Sequence, residues 1–470
     1  MQMIDGGVTA PQGFIANGVL SGIKAGRTQE DTALIFSEKI CNAAGVFTQN
    51  VVKAEPVKLS KLRLSRHRAQ AVIANAGNAN ACTGEQGAWT AVRMTRAAAT
   101  SLSNSEKINQ KVDEDDVLVC STGVIGQQLN VEVVEEHMDE LVAGLSKEGH
   151  EKARRAIMTT DTQYKECAVE IELSGKKVRI GTMAKGSGMI HINMGTMLSF
   201  ITTDCAISAE MLEKALRSSV EGTYNCVSVD GDTSTNDTLL ILANGMAENP
   251  EITCDGPDYQ EFLKALNFVN TQMARKIAGD GEGAEHLLVC TVQGAKDVDS
   301  ARKLAKSVIS SSLVKAAFFG KDANWGRILC AMGYSGELFD PSNVSVSFTN
   351  SKGCIKVFDK GNPVDFDEDK AKILLTEKEV GILVLLEEGE ASGTAWGCDI
   401  CQRACPLNKD VSFTPIDFFK NELIPNLDRD TVNKMTKEEF KERAFSWRGK
   451  NTILRNLSLF DKVKNDINKG

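Results

Sequence analysis

Residues 165–204 read KECAVEIELSGKKVRIGTMAKGSGMIHINMGTMLSFITTD, and the fold turns on this stretch. The runs AVEIEL (168–173) and KKVRIGTMA (176–184) flank Ser174-Gly175-Lys176, which predicts a β-hairpin. The second strand leads into a Gly- and Met-rich segment that opens at Lys185 and carries Asn193-Met194-Gly195-Thr196-Met197. A hydroxyl is a weak nucleophile without a base in reach, and a threonine at a newly made N-terminus supplies that base with its own α-amine. The small Gly195 leaves its carbonyl open to the Thr196 hydroxyl. An N→O acyl shift followed by hydrolysis would then split the chain at Gly195/Thr196. A Gly-Thr pair beside a strand is usually just a bend, so by itself the pair is a weak signal for cleavage.

Upstream, residues 1–130 alternate β-branched runs (TALIFS, AVIAN, DVLVCSTGV) with Gly/Asn punctuation around one Ala- and Arg-rich helix from about Gly87 to Leu102. Helical periodicity runs through VEVVEEHMDELVAGL and KARRAIMTT. Downstream, helices are expected near 208–220, 258–278 and 299–312, between the strand runs TLLILANG, HLLVCTV and NVSVSF. This is a mixed α/β chain, and its downstream strands and helices alternate without the glycine fingerprint of a dinucleotide fold. From about Pro406 strand periodicity stops and a Lys/Glu-rich helix, TKEEFKERAF, is expected.

The 470 residues are 42% apolar and 25% charged, enough for a large core. A net charge of −9 and a pI near 5.4 argue against a nucleic-acid partner, which requires a basic surface. No window of about 18 uncharged apolar residues suggests a membrane span. With no targeting pattern at the N-terminus and most of the thirteen cysteines scattered singly in apolar contexts, a cytoplasmic protein is expected.

The blocks GGVTAPQGF, CNAAGVFTQN, NANACTGEQG, STGVIG, TTDT, KGSGMI, VDGDTSTNDT, DGEGA and SSSLVKAAFFGKDANWGRIL occur in one continuous order. Through them the chain resembles the ornithine acetyltransferase family, often bifunctional with N-acetylglutamate synthase activity, over residues 1 to about 398. The resemblance implies a self-cleaving N-terminal-nucleophile fold whose two lobes meet around 121–123, 185–196 and 280–284, and pieces 1–195 (α chain) and 196–470 (β chain 196–398 with the tail) that stay associated, as a heterotetramer of two α and two β fragments. It also implies ping-pong transfer of acetyl from N2-acetylornithine to glutamate, with acetyl-CoA as a further donor in bifunctional members. Transferred by motif, Thr196 is the nucleophile, Thr122 and Gly123 form the oxyanion hole, and Thr162, Lys185, Thr196 and Glu282 bind substrate, with Asp280 and Thr159 nearby. No metal or organic cofactor is implied.

The block 230–237 lacks the spacing of a calcium loop and reads as a turn near the site; Asn324-Trp325-Gly326-Arg327 reads as a structural or site-lining turn. His191 is given no catalytic role. Two departures stand out. Gly195 replaces the family's usual alanine and His191-Ile192 an Ala-Pro pair, and the family's terminal strand and Asn…Thr contacts are expected to be missing after Asp399. The run GCDICQRACP (397–406) resembles a cluster motif of epoxyqueuosine reductase, so residues 399–470 read as an appended tail. Cys398, Cys401 and Cys405 supply three of the four cysteines of an iron–sulfur run, the first position being Ala395. Free thiols are the preferred reading. Competing functions are an N-terminal-nucleophile aminopeptidase or amidase, an inactive homologue, and an electron-transfer module built on the tail.

Overall fold

A computed structural model describes residues 1–191, 197–398, 429–436, 450 and 454. The chain separates into two units, Met1–Pro406 and Leu407–Gly470; in the second, a helix spans Arg429–Lys434. The predicted helix 436–445 lies outside the described residues apart from Thr436.

In chain order the strands of the first unit are β1 (Gln2–Ile4), β2 (Phe14–Val19), β3 (Thr32–Phe47), β4 (Arg68–Asn78), β5 (Val117–Val124), β6 (Lys165–Leu173), β7 (Lys176–Lys185), β8 (Ile190–His191), β9 (Leu198–Thr203), β10 (Val227–Thr233), β11 (Thr238–Ala243), β12 (Leu287–Ala295), β13 (Ser345–Asn350), β14 (Gly353–Asp359), β15 (Asn362–Pro363), β16 (Glu379–Leu385) and β17 (Ala391–Cys398). They form a nine-stranded sheet, β1-β6-β7-β9-β11-β3-β4-β5 with β2 on β3, and an eight-stranded sheet, β15-β14-β13-β16-β12-β17-β10-β8. The predicted hairpin is β6–β7: Leu173 pairs with Lys176, and the two-residue turn takes φ 47° at Ser174 and 77° at Gly175, the left-handed pair that matches strand twist.

Sheet pairing cuts across the expected cleavage point. Strands β9 and β11 come from downstream of it, yet lie in the first sheet between β7 and β3; β8, from upstream, lies at the edge of the second. Side chains of β9 and β11 alternate between cores: Leu198, Phe200, Leu240 and Leu242 pack on one face, Ile201, Leu239 and Ile241 on the other. The first sheet is thus apolar on both faces here. The second core joins it to the helices Ala209–Glu221 and Pro257–Gly279 and to the inner face of the second sheet through Leu288, Cys290 and Val292.

The helices predicted from periodicity in the first unit are present, with two breaks, while Glu55–Arg63, Trp325–Gly333 and Glu368–Leu375 are helices that the sequence reading did not mark. The run 131–145 divides at His137 (φ −98°, ψ 5°) into Val131–Glu136 and Met138–Ala143. The run 299–312 stops at Ser310, because Ser311 is extended and its side chain accepts from Val314 N at 3.3 Å, capping a new helix Ser312–Phe319. Among the described residues no helix is long and apolar enough to cross a membrane.

Candidate active site

Strand β5 pairs in parallel with β4, and the register breaks at Gly77/Asn78 opposite Thr122 and Gly123. Gly123 sits at φ 136°, and a Cβ there would stand 2.2 Å from the Gly77 carbonyl carbon, so only glycine fits. The bulge ends the ladder and leaves Thr122-Gly123 at the wall of a cavity of about 420 Å³.

Lys185, the last residue of β7, enters the same cavity and is buried; its Nζ donates to Thr122 Oγ1 at 3.1 Å. A hydroxyl that accepts from an ammonium keeps its own proton free to donate elsewhere. Burial pulls the Lys185 ammonium below the usual amine range, and Asp161 is the strongest group working against that. Gly188 and Glu282 face each other at the rim: a Cβ on Gly188 would lie 2.4 Å from Glu282 Oε1, so the glycine lets the carboxylate reach the wall.

The block 230–237 divides into two tasks. Asp230 accepts from Met189 N and, at 2.8 Å, from Ile190 N, fixing the chain entering β8. Ser234, Thr235 and Asn236 line the cavity, and Asn236 Nδ2 donates to Ser121 O at 2.8 Å, clamping this loop to the strand that carries Thr122.

Of the residues singled out from sequence, Thr122, Gly123, Lys185 and Glu282 converge on one cavity, as does Thr159. Thr162 is placed differently: it is exposed, its N–H donates to Asp280 at 3.1 Å, its hydroxyl donates to the same carboxylate, and Thr159 and Thr160 line the cavity instead. Gly195 and Thr196 lie outside the described residues, but Met197 shares a small recess with Thr122, Lys185 and Gly188. Asn324 caps the helix Trp325–Gly333 and Trp325 stacks on Phe358 at 4.8 Å, away from the cavity. His191 Nδ1 lies 2.9 Å from Ser228 Oγ; burial, Lys306 and Lys315 push its pKa down to about 4.

Sequence reasoning missed two features. Lys24 and Arg27 line the mouth, and no motif marks them. Behind the wall stands a buried group, Asp161, Lys165 and Asp280: Lys165 Nζ is 2.7 Å from Asp161 and also paired with Asp280. Burial raises the Asp161 carboxyl, yet Lys185 and Lys165 together hold it below the usual range. The i,i+4 spacing of Asp161 and Lys165 was readable, but their link to Asp280 was not.

Cys401 and Cys405 lie outside the described residues. Cys398 is buried at the end of β17, with Sγ 3.7 Å from Val229 O. Among the described residues no group of three or more His, Cys, Asp or Glu is arranged to hold a metal ion. A larger groove of about 630 Å³, beside β3 between Lys61, His67 and Arg217, holds none of the residues expected to react.

The sequence matches the ArgJ family over residues 15–410. It is 48% identical over 408 residues to the arginine biosynthesis bifunctional protein ArgJ of Caldanaerobacter subterraneus subsp. tengcongensis, covering 87% of this chain and 99% of that protein. Against ArgJ 1 of Clostridium acetobutylicum the identity is 49% over 395 residues, 84% and 95% of the two chains. In a solved structure of the Bacillus halodurans ArgJ protein, a chain 40% identical is matched over its whole length by 46% of this one, with a TM-score of 0.43. The family match runs past Asp399 to residue 410, within residues the structure does not describe. On the family match and the near-complete coverage of these relatives, this chain belongs to the ArgJ family.

Proposed function

We propose that this acyltransferase of arginine biosynthesis moves an acetyl group from N2-acetylornithine to glutamate through an acetyl ester on Thr196, after self-cleavage at Gly195/Thr196. The observation that carries the reading is the Lys185–Thr122 hydrogen bond of 3.1 Å, in a cavity walled by Gly123 and Glu282 and bordered by Met197, the residue joined to Thr196.

In the first half-reaction Thr196 Oγ1 attacks the acetyl carbonyl, and its proton passes to the Thr196 α-amine. The tetrahedral oxyanion takes hydrogen bonds from the Thr122 hydroxyl, freed by Lys185, and from Gly123 N–H. Collapse breaks the acetyl–nitrogen bond, and the α-ammonium of Thr196 returns the proton to the departing ornithine amine. Glutamate then attacks acetyl-Thr196 by the same steps in reverse. The Lys185 ammonium suits a substrate carboxylate and the Glu282 carboxylate suits an ammonium. These groups supply acid, base and oxyanion stabilisation without a metal or organic cofactor. Acetyl-CoA as a second donor, a two-α two-β assembly and a cytoplasmic setting belong to the same reading; the buried free thiols Cys41, Cys120, Cys167, Cys205, Cys226 and Cys290 fit a reducing compartment.

The test is to mix the cleaved protein with N2-acetylornithine and no glutamate, then weigh the fragments. The reading predicts one acetyl group on the fragment beginning at Thr196, lost on adding glutamate as N-acetylglutamate appears. Discharge by water at the same rate with and without glutamate would favour an amidase instead.

A further inference from the structure

Three chain segments reach the cavity from separate parts of the fold: Thr159-Thr160 ahead of β6, Lys185 to Gly188 after β7, and Glu282 after the helix Pro257–Gly279. None of these side chains ties the three together. The tie lies one layer behind. Asp161 Oδ1 accepts from Gly186 N at 2.7 Å and from Lys165 Nζ at 2.7 Å, while its Oδ2 accepts from Thr159 N at 3.2 Å. Lys165 passes the link to Asp280, whose carboxylate also receives Thr162 N and Gln163 N and whose carbonyl accepts from Ser187 Oγ at 2.7 Å. The side chains of Asp161 and Lys165 are fully buried, and neither lines the cavity.

With Lys185 the group holds two carboxylates and two ammoniums, neutral as a set. A buried ammonium survives only where opposite charge offsets its lost hydration. The groups facing Lys185 are Asp161 ahead of β6, Lys165 on β6, Asp237 before β11 and Glu282 at the rim. Lys165 repels it, the three carboxylates attract it, and Asp161 is the strongest of them. Asp161 is also bonded to the backbone of the next residue, Gly186.

We infer that Asp161 is a positioning residue for acetyl transfer: through Gly186 and through space it keeps Lys185 protonated and aimed at Thr122, and so keeps the Thr122 hydroxyl proton free for the oxyanion. The inference rests on the acetyl-transfer reading of this site. Its signature is a sign. Removing the Asp161 charge lowers the affinity of Lys185 for its proton, and removing the Lys165 charge raises it.

The experiment measures kcat/KM for N2-acetylornithine between about pH 6 and about pH 10 for the full chain and for Asp161→Asn, Lys165→Gln and Lys185→Arg. The alkaline limb is expected to move down by about one pH unit or more in Asp161→Asn and up in Lys165→Gln. It should vanish in Lys185→Arg, because a guanidinium keeps its proton, and adding Asp161→Asn to that variant should not restore it. Lysine-selective ¹³C NMR, with the Lys185 signal assigned by its loss in Lys185→Arg, reads the same shifts without turnover. A rate lowered equally at every pH, or shifts of the same sign in both variants, overturns the inference. If Asp161→Asn does not fold, the sign in Lys165→Gln decides alone. A wild type that shows the NMR shifts on substitution but moves no acetyl group contradicts the transfer reading, whereas an active wild type without the shifts contradicts only the role of Asp161.

Discussion

The chain is held very differently on the two sides of residues 192–196. Downstream, all six residues of β9 pair with β7 on one side and with β11 on the other, and Leu198 stands opposite Lys185. Upstream, β8 is two residues long and among the described residues pairs only with β10, through a register that jumps between Ser228 and Thr233, with the Asp230 carboxylate as added anchor. Cleavage between them would leave the new N-terminus tethered beside Lys185 and Thr122. The opposite end would follow the two-residue β8. Because β9 and β11 sit between β7 and β3, the two pieces would share one sheet and stay locked together.

The strong side is the place to expect the largest effect. Phe200 is 1% exposed, so Phe200→Ala removes a ring from the core that joins the pieces and should cost about 3–5 kcal/mol. Urea titration of the cleaved protein would show the fragments separating at lower denaturant; a change below about 1 kcal/mol would mean that β9 does not hold them. On the weak side, Asp230→Ala strips an acceptor from Met189 N, Ile190 N and Asp232 N and should cost about 1–3 kcal/mol. Its effect should appear mainly as slower self-cleavage, timed by electrophoresis, with little change once the chain is cut. Equal effects before and after cutting would erase the contrast.

The smallest effect concerns acid. The fold holds His191 neutral, its pKa lowered from 6.5 to about 4 by burial, Lys306 and Lys315. The unfolded chain therefore binds the extra proton first. This stability is fully present above pH 6.5 and is lost as pH falls from 6.5 toward 4, by about 1–2 kcal/mol for a group that keeps some solvent contact. His191→Gln should flatten the fall of Tm across that window, and an unchanged fall would show that His191 does not sense acid.

How legible the molecule was from sequence depended on the range of the interaction. The β6–β7 hairpin, the helix Gly84–Asn104 and the wall residues Thr122, Gly123, Lys185 and Glu282 were legible, because turn chemistry is local and each wall residue sits in a short motif. The separation of β8 from β9 into different sheets was not, because both strands are short and pairing across the chain leaves no local period. Thr162 lies off the cavity for a related reason: the TTDT motif marks the loop, but only Asp280, 118 residues away, decides which threonine turns from the cavity. The tie from Lys165 to Asp280 is equally non-local.

Self-cleavage ahead of Thr196 is tested most directly by the intact masses of the purified full-length protein and of Thr196→Ala under denaturing conditions. Two fragments meeting at Gly195/Thr196 are expected in the wild type, and one uncut chain in the variant. A wild-type chain that remains whole, or a Thr196→Ala chain cut at the same bond, would contradict the proposed mechanism.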